Sequence, residues 1–94
     1  MDSLFDLMFG IMNNDYNKAD KVGRDTVSNY TIDTCDTMDQ GYETAMWKDV
    51  DNIIIVERYP DRARAETGHK KWVAFAETKP ESVCSVQTDE RVNF

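Results

Sequence analysis

Two hydrophobic patterns follow each other between residues 53 and 78, and the rest of the chain is organised around them. Residues 53–56 (IIIV) are four branched aliphatics, too few and too β-branched for a helix interior, and they predict a buried central strand. Residues 59–61 (YPD) end this strand, because proline fixes its own φ angle and Asp61 is a natural helix N-cap. Over residues 61–78 the apolar positions recur every three or four residues, which predicts an amphipathic helix that covers the sheet. Its apolar face consists of Ala65, Gly68, Trp72, Phe75 and Ala76.

Two more strands are predicted before the aliphatic one. Residues 30–37 (YTIDTCDT) and 42–47 (YETAMW) alternate between two faces, and the turns at 38–41 and 48–52 are short. Gly41 suits a positive φ angle in the first turn. Short connections favour an antiparallel three-stranded meander under one helix, which is an α+β fold. Residues 82–88 (SVCSVQT) are a candidate fourth, edge strand, and the alternative is that residues 79–94 form a loose tail.

The N-terminal segment, residues 1–12 (MDSLFDLMFGIM), predicts an additional helix that is apolar on almost every side. Such a helix must be buried, and two hosts are open: the sheet of its own domain, or a second copy of the chain or another protein. In the second case the oligomer interface would consist of Leu4, Phe5, Met8, Phe9 and Met12. Residues 13–21 are rich in turn-forming residues and predict a linker.

The length of 94 residues predicts a single domain over residues 1–94. Within it, residues 22–78 form the predicted core of meander and helix, and residues 79–94 the edge strand or tail. The longest hydrophobic run is far shorter than the ~20 residues that span a bilayer, and the N-terminus lacks a basic signal region. Cys35 and Cys84 are too far apart in sequence for a Cys-x-x-Cys pair. These features predict a protein of the reducing cytoplasm with no membrane partner.

The charge is strongly negative: 18 acidic and 11 basic residues give a net charge of −7. We therefore expect no direct nucleic-acid binding, because affinity for phosphates comes from lysine and arginine. Residues 1–41 hold eight acidic and three basic residues, a net of −5, whereas residues 60–79 hold three acidic and five basic residues, a net of +2. This asymmetry is typical of an acidic domain with one basic helix face, or of an acidic surface that meets a basic partner.

A series of acidic residues near the two predicted turns is the candidate partner-binding surface. Their spacing does not match a calcium-binding loop, so the alternatives are solvated strand and turn residues or a strip that imitates phosphates. Trp47 would be an apolar anchor for a partner if it is exposed, and a core residue if the N-terminal helix covers its side of the sheet. The predicted partner-binding residues are Asp33, Asp36, Asp39, Glu43, Trp47, Asp49 and Asp51.

No segment carries a catalytic or phosphate-binding motif, so the prediction is a non-enzyme without a cofactor or a metal. His69 is the only histidine, and a metal site would require it to meet Cys35 and Cys84 from separate segments. We expect His69 to border the seam between helix and sheet instead. Gly68 costs about 1 kcal/mol in a helix relative to alanine, and close packing is the usual reason to tolerate it.

The motifs YETA (42–45), ERY (57–59) and GHKKW (68–72) together resemble a cassette of small proteins of unknown function encoded by phages and prophages of Gram-positive bacteria. The entry strand with Asp33-Thr34-Cys35 is similar to theirs as well, so the resemblance covers residues 22–76. It implies a phage origin and a small α+β fold. It brings no established catalytic residues.

Two functional hypotheses follow from the acidic charge and this resemblance. The first is a phage-encoded inhibitor that binds a host defence protein in the host cytoplasm, for instance an anti-CRISPR protein that blocks a nucleic-acid-binding surface of an effector nuclease. The second is a virion or assembly component that forms homo-oligomers through its N-terminal helix. A regulatory or ligand-binding module is a third, less specific possibility.

Overall fold

The computed structural model describes residues 21–37 and 41–94, which form a four-stranded antiparallel sheet, one helix and a C-terminal hairpin. The predicted N-terminal helix, most of the predicted linker and Asp39 lie outside these residues. The elements in chain order are β1 (Lys21–Val27), β2 (Tyr30–Asp36), β3 (Tyr42–Trp47), β4 (Ile54–Tyr59), α1 (Arg62–Glu77), β5 (Ser82–Cys84) and β6 (Arg91–Asn93).

The sheet is a meander in which β1, β2, β3 and β4 lie side by side in sequence order. Its two faces differ in what they contact. The first face carries Ile32, Met46 and Val56 and packs against α1, and the opposite side is called the second face below. The second face carries Asp33 and Ala45, which are cross-strand neighbours.

The prediction of three strands missed β1, which occupies the edge beside β2. A two-residue turn joins the strands, with Ser28 at φ 50° and Asn29 at φ 73°. Positive φ at both positions is the geometry that matches the twist of an antiparallel hairpin. The alternation of β1 was hidden because Arg24 and Asp25 are charged, as is common on edge strands that must not pair with other chains.

The predicted helix is confirmed, and it begins and ends where its caps require. Asp61 is extended and its carboxylate accepts a hydrogen bond from the backbone N–H of Arg64 at 2.8 Å. At the other end the N–H of Thr78 donates to the carbonyl of Phe75. The buried residues include three of the five predicted for the apolar face, and Trp72 and Phe75 are partly buried against the same core.

Gly41 and Gly68 are the two glycines of the described residues where a side chain has no room. Gly41 has φ 80°, as predicted for the turn between β2 and β3, and its carbonyl accepts from Thr37 N at 2.8 Å. Gly68 faces the ring of Tyr59 so closely that a Cβ atom would overlap the ring. Close packing therefore explains the glycine inside α1, as predicted.

The C-terminal residues form a separate small hairpin. β5 and β6 pair with each other, so residues 82–84 are a strand, although not the fourth strand of the main sheet. The N–H of Val86 donates to the carbonyl of Ile55 at 2.9 Å, and the Asn52 side chain donates to the carbonyl of Asn93 at 2.7 Å. The hairpin therefore lies along the beginning of β4. The ring of Phe94 packs edge-on against Tyr30 with centroids 5.1 Å apart.

Candidate functional site

Three of the predicted partner-binding residues are buried on the second face of the sheet. Asp33, Glu43 and Trp47 are each at most 6% exposed. The Asp33 carboxylate lies 3.0 Å from Lys21 Nζ and 2.5 Å from Arg24 Nη2, where neighbouring strands bring them together. The basic side chains neutralise the carboxylate inside the protein, so this acid is not available to imitate a phosphate.

The second buried acid is paired in the same way. Arg58 Nε lies 2.9 Å from Glu43 Oε2 across the β3–β4 pair. The guanidinium of Arg24 also stands 5.8 Å from the centre of the Trp47 ring, a distance typical of cation–π contacts. The second face thus has an apolar centre bordered by ion pairs.

Three of the other predicted residues lie at opposite ends of the sheet, and Asp39 lies outside the described residues. Asp36 is half-buried at the end of β2, whereas Asp49 and Asp51 are exposed in the turn that follows β3. β3 has six residues and separates the two groups by its whole length, about 17–20 Å. The predicted acids that the structure describes therefore do not form one continuous strip, and the turn after β3 presents two exposed ones together.

That turn adjoins the C-terminal hairpin, and both expose a valine among acidic residues. Among the described residues, the exposed large hydrophobic side chains are Val50 (46%) and Val86 (40%). Val50 stands between Asp49 and Asp51, and the exposed Asp89 follows in the hairpin turn. Asn52 joins the first turn to Asn93, at the end of the hairpin strands opposite to residues 85–90. We call the turn at residues 48–52 and the hairpin turn at residues 85–90 together the turn–hairpin surface.

An apolar groove of about 510 Å³ opens beside the hairpin turn, between α1, β4 and the hairpin. Trp72 and Phe75 form one wall, and Val83 and Val86 form the other. Val56 of β4 also lines the groove. Grooves of this size suit an apolar side chain or a small ligand. The charged residues Lys71, Asp89 and Arg91 also line it.

A chain of polar side chains crosses the first face beneath α1. His69 Nε2 lies 2.7 Å from Asp25 Oδ2, and His69 Nδ1 lies 2.6 Å from Thr34 Oγ1. The contacts continue from Thr34 to Thr44 at 2.6 Å and from Thr44 to the Tyr59 hydroxyl at 2.9 Å. This polar chain joins β1, β2, β3, β4 and α1, and it confirms that His69 belongs to the helix–sheet seam.

The Asp25 carboxylate fixes the direction of these hydrogen bonds because it can only accept. His69 Nε2–H therefore donates to Asp25, and in a neutral ring Nδ1 accepts from Thr34. The hydroxyl groups of Thr44 and Tyr59 continue the chain, each donating to the hydroxyl before it.

The order Asp25–His69–Thr34 resembles an Asp-His-Ser triad with threonine in the place of serine. Thr34 is completely buried, however, and its hydroxyl is also engaged by Thr44. A substrate cannot reach this hydroxyl. The polar chain therefore holds α1 against the sheet. Its Asp25 end was not predicted, because recognising it requires β1 to be identified as a strand.

Two pKa shifts arise where the polar chain meets α1. Burial raises the pKa of Tyr59 well above its usual value, and the nearby negative charge of Glu57 adds to this effect. Partial burial works to raise the pKa of Glu57, but hydrogen bonds from Lys71 and Trp72 outweigh it and hold this pKa below its usual range. Lys71 Nζ and Trp72 Nε1 lie 2.6 Å and 2.8 Å from Glu57 Oε1.

The Tyr59 shift predicts a loss of stability in alkali. Its pKa in the unfolded chain is about 10 and its pKa in the folded protein is higher, so the folded state keeps a proton that the unfolded state releases. The contribution of Tyr59 to stability is complete below pH 10 and falls above it, by up to about 1.4 kcal/mol per pH unit. Urea unfolding between pH 8 and pH 11 measures this slope. Tyr59→Phe should flatten it, and an equal slope in both proteins would contradict the assignment.

Comparisons with protein-family models, with curated proteins and with solved structures find no match to this chain. Within residues 21–37 and 41–94, no cluster of three metal-ligating side chains is present. No helix in the same part of the chain is long and apolar enough to cross a membrane.

Proposed function

We propose that the protein is a phage-encoded inhibitor that binds a host defence protein and occupies its nucleic-acid-binding surface, as an anti-CRISPR protein does to an effector nuclease. The observation that carries this proposal is the exposed Val50 between the exposed carboxylates of Asp49 and Asp51. An apolar side chain framed by negative charge suits a groove lined by lysine and arginine. The resemblance to phage proteins over residues 22–76 supports the phage origin.

The turn–hairpin surface replaces the longer acidic strip as the proposed contact. Asp33 and Glu43 are already neutralised by basic neighbours, so they add little to the field that a partner meets. The acids of the turn–hairpin surface are exposed and would steer a basic partner, which makes association fast at low salt and slower at high salt. Val50 would exclude water at the centre of the contact, and the groove beside the hairpin turn offers a second apolar contact. Binding of this kind needs no catalytic step.

The first experiment is a pull-down from the bacterial host followed by mass spectrometry, and then a cleavage assay with any nuclease recovered. We expect the protein to protect the target DNA in a dose-dependent way. Cleavage at the uninhibited rate with the protein in large excess would contradict the nuclease as the target. Recovery of the protein in purified phage particles would favour the virion component instead.

Single substitutions then test the contact itself. Asp51→Asn should weaken partner binding and flatten its salt dependence, because one exposed charge is lost. Val50→Ser should weaken binding about tenfold while the salt dependence stays the same, since it removes an apolar contact worth about 1–2 kcal/mol. Affinity is measured by biolayer interferometry from 50 to 300 mM salt.

Glu66→Gln is the matched control, because Glu66 is also an exposed acid, on α1, and its ion-pair partner is on the same helix. It should leave both affinity and salt dependence unchanged. If Asp51→Asn and Val50→Ser also bind like the unaltered protein, the turn–hairpin surface is not the contact.

A further inference from the structure

Two charged side chains in the apolar groove beside the hairpin turn are available to a ligand. Asp89 and Arg91 both line the groove, and both are exposed. The guanidinium of Arg91 donates to Ser82 Oγ at 2.9 Å, and neither side chain contacts an opposite charge in the part of the chain that the structure describes. Lys71, the third charged residue of the groove, is neutralised by Glu57, whose Oε1 lies 2.6 Å from its Nζ. The groove therefore offers a ligand one positive and one negative charge.

The walls of the groove favour a flat apolar group. Trp72 and Phe75 pack edge-on in one wall, with ring centroids 5.4 Å apart, and Val83 and Val86 form the other wall. The indole N–H of Trp72 donates to Glu57 at 2.8 Å, so the aromatic wall asks for no acceptor on the ligand. An aromatic ring would gain from both walls, because ring–ring contacts add to the burial of apolar area.

A buried hydroxyl group supplies one more polar contact. Ser85 also lines the groove and is 4% exposed. Its Oγ accepts from the backbone N–H of Gln87 at 3.1 Å and from that of Thr88 at 3.4 Å, and none of the described residues accepts its own proton. A buried donor without an acceptor is costly, so a ligand oxygen that accepts this proton would be favoured.

We propose that the groove binds a small zwitterion with an aromatic ring, of the class of free aromatic amino acids. Arg91 binds the carboxylate, Asp89 binds the ammonium group, and the ring lies between the aromatic and the valine walls. The Ser85 hydroxyl donates to the carboxylate as well. A ligand with only one charge would leave the other charged side chain without a partner. The volume of about 510 Å³ accommodates a molecule of this class.

This inference does not rest on the proposed defence partner. An occupied groove would remove the second apolar contact suggested for that partner, but it would leave the contact at Val50 as it is. Failure of the groove to bind a zwitterion therefore leaves the inhibitor proposal standing, and the reverse also holds.

The test is a titration of the ¹⁵N-labelled full chain with L-phenylalanine, followed by the indole N–H signals of its two tryptophans. The Trp72 signal should shift in a saturable way, with a Kd of about 1 mM for a ligand of this size. Trp47 lies on the second face of the sheet and its signal should stay in place. Phenethylamine, which lacks the carboxylate, and 3-phenylpropionate, which lacks the ammonium group, should each bind about tenfold more weakly.

Variants assign each charge to its side chain. Arg91→Gln should weaken phenylalanine about tenfold and leave phenethylamine unchanged, whereas Asp89→Asn should weaken phenylalanine equally and not weaken 3-phenylpropionate. Asparagine suits the Asp89 position, where φ is 61°. Arg64→Gln removes an exposed charge outside the groove and should change nothing. Equal affinity for the three ligands, or a Trp72 signal that stays in place at tens of millimolar phenylalanine, would overturn the proposal.

A second measurement uses the unaltered protein and requires no variant to fold. Cys84 lines the groove and is exposed, whereas Cys35 is buried. Saturating phenylalanine should slow the alkylation of Cys84 by iodoacetamide several-fold, and mass spectrometry of the digested protein measures this rate. An unchanged rate while the Trp72 signal shifts would place the ligand outside the groove and refute the assignment.

Discussion

Replacing Gly68 by alanine should destabilise the protein by about 2–3 kcal/mol, although alanine is the better helix former. Alanine gains about 1 kcal/mol in a helix interior. The new methyl group, however, would overlap the ring of Tyr59, and the ring is held by its hydrogen bond to Thr44. Overpacking costs about 1–3 kcal/mol, and breaking the buried hydrogen bond costs a further 1–3 kcal/mol or so. Urea unfolding followed by far-UV circular dichroism measures the difference.

The control substitution is at the neighbouring Thr67, which is exposed on α1. Thr67→Ala should be neutral or slightly stabilising, because only helix propensity changes. Gly68→Ala should also become nearly harmless when Tyr59 is replaced by alanine, since the double variant removes the ring that the methyl group meets. An additive double-mutant cycle would show that the ring is not the cause.

The strongest parts of the fold were predictable because local and tertiary preferences agree there. The run of aliphatic residues in β4 is compatible only with a strand, and the three- and four-residue spacing in α1 only with a helix. The N-cap at Asp61 marks the boundary between the two elements. Gly68 was also informative, since a glycine in a helix interior is costly unless another group approaches closely.

The candidate site was less predictable because its residues depend on strand register. Asp33 looks like a solvated acid in the sequence, and its partners Lys21 and Arg24 are 12 and 9 residues away. Only the pairing of β1 with β2 places them beside it. The same holds for His69, whose partner Asp25 lies 44 residues away on a strand whose alternation is masked by charge. Contacts across a sheet leave no periodic signal along the chain.

The alternation of polar and apolar residues along a strand also does not tell which side chains are exposed to solvent. The position of Trp47 in its strand is compatible with a solvent-facing side of the sheet and with a buried side. Whether the side chain is buried depends on what packs against that side. The structure places it among buried residues. By contrast, Val50 is exposed because it belongs to a turn, where no strand or helix face constrains it.

Asp33→Ala should destabilise the protein by about 2–4 kcal/mol, the second large effect that we expect. The carboxylate is completely buried and contacts two cations, and breaking a buried ion pair costs roughly 3–5 kcal/mol. Lys21 and Arg24 are each about one-third exposed, so water recovers part of this cost. Asp33→Asn keeps the shape and loses the charge, and we expect an intermediate loss. Urea unfolding of the three proteins at one salt concentration checks the order.

Asp51→Asn is the matched control for charge, because Asp51 is exposed in the turn after β3. It should leave the free energy of unfolding within about 0.5 kcal/mol of the unaltered value, as surface substitutions usually do. The two aspartates thus have opposite expected behaviour: we expect Asp33 to maintain the fold, and we propose that Asp51 contacts the partner. If Asp33→Asn instead kept full stability while partner binding was lost, Asp33 would be a contact residue. The acidic surface would then extend across the second face of the sheet.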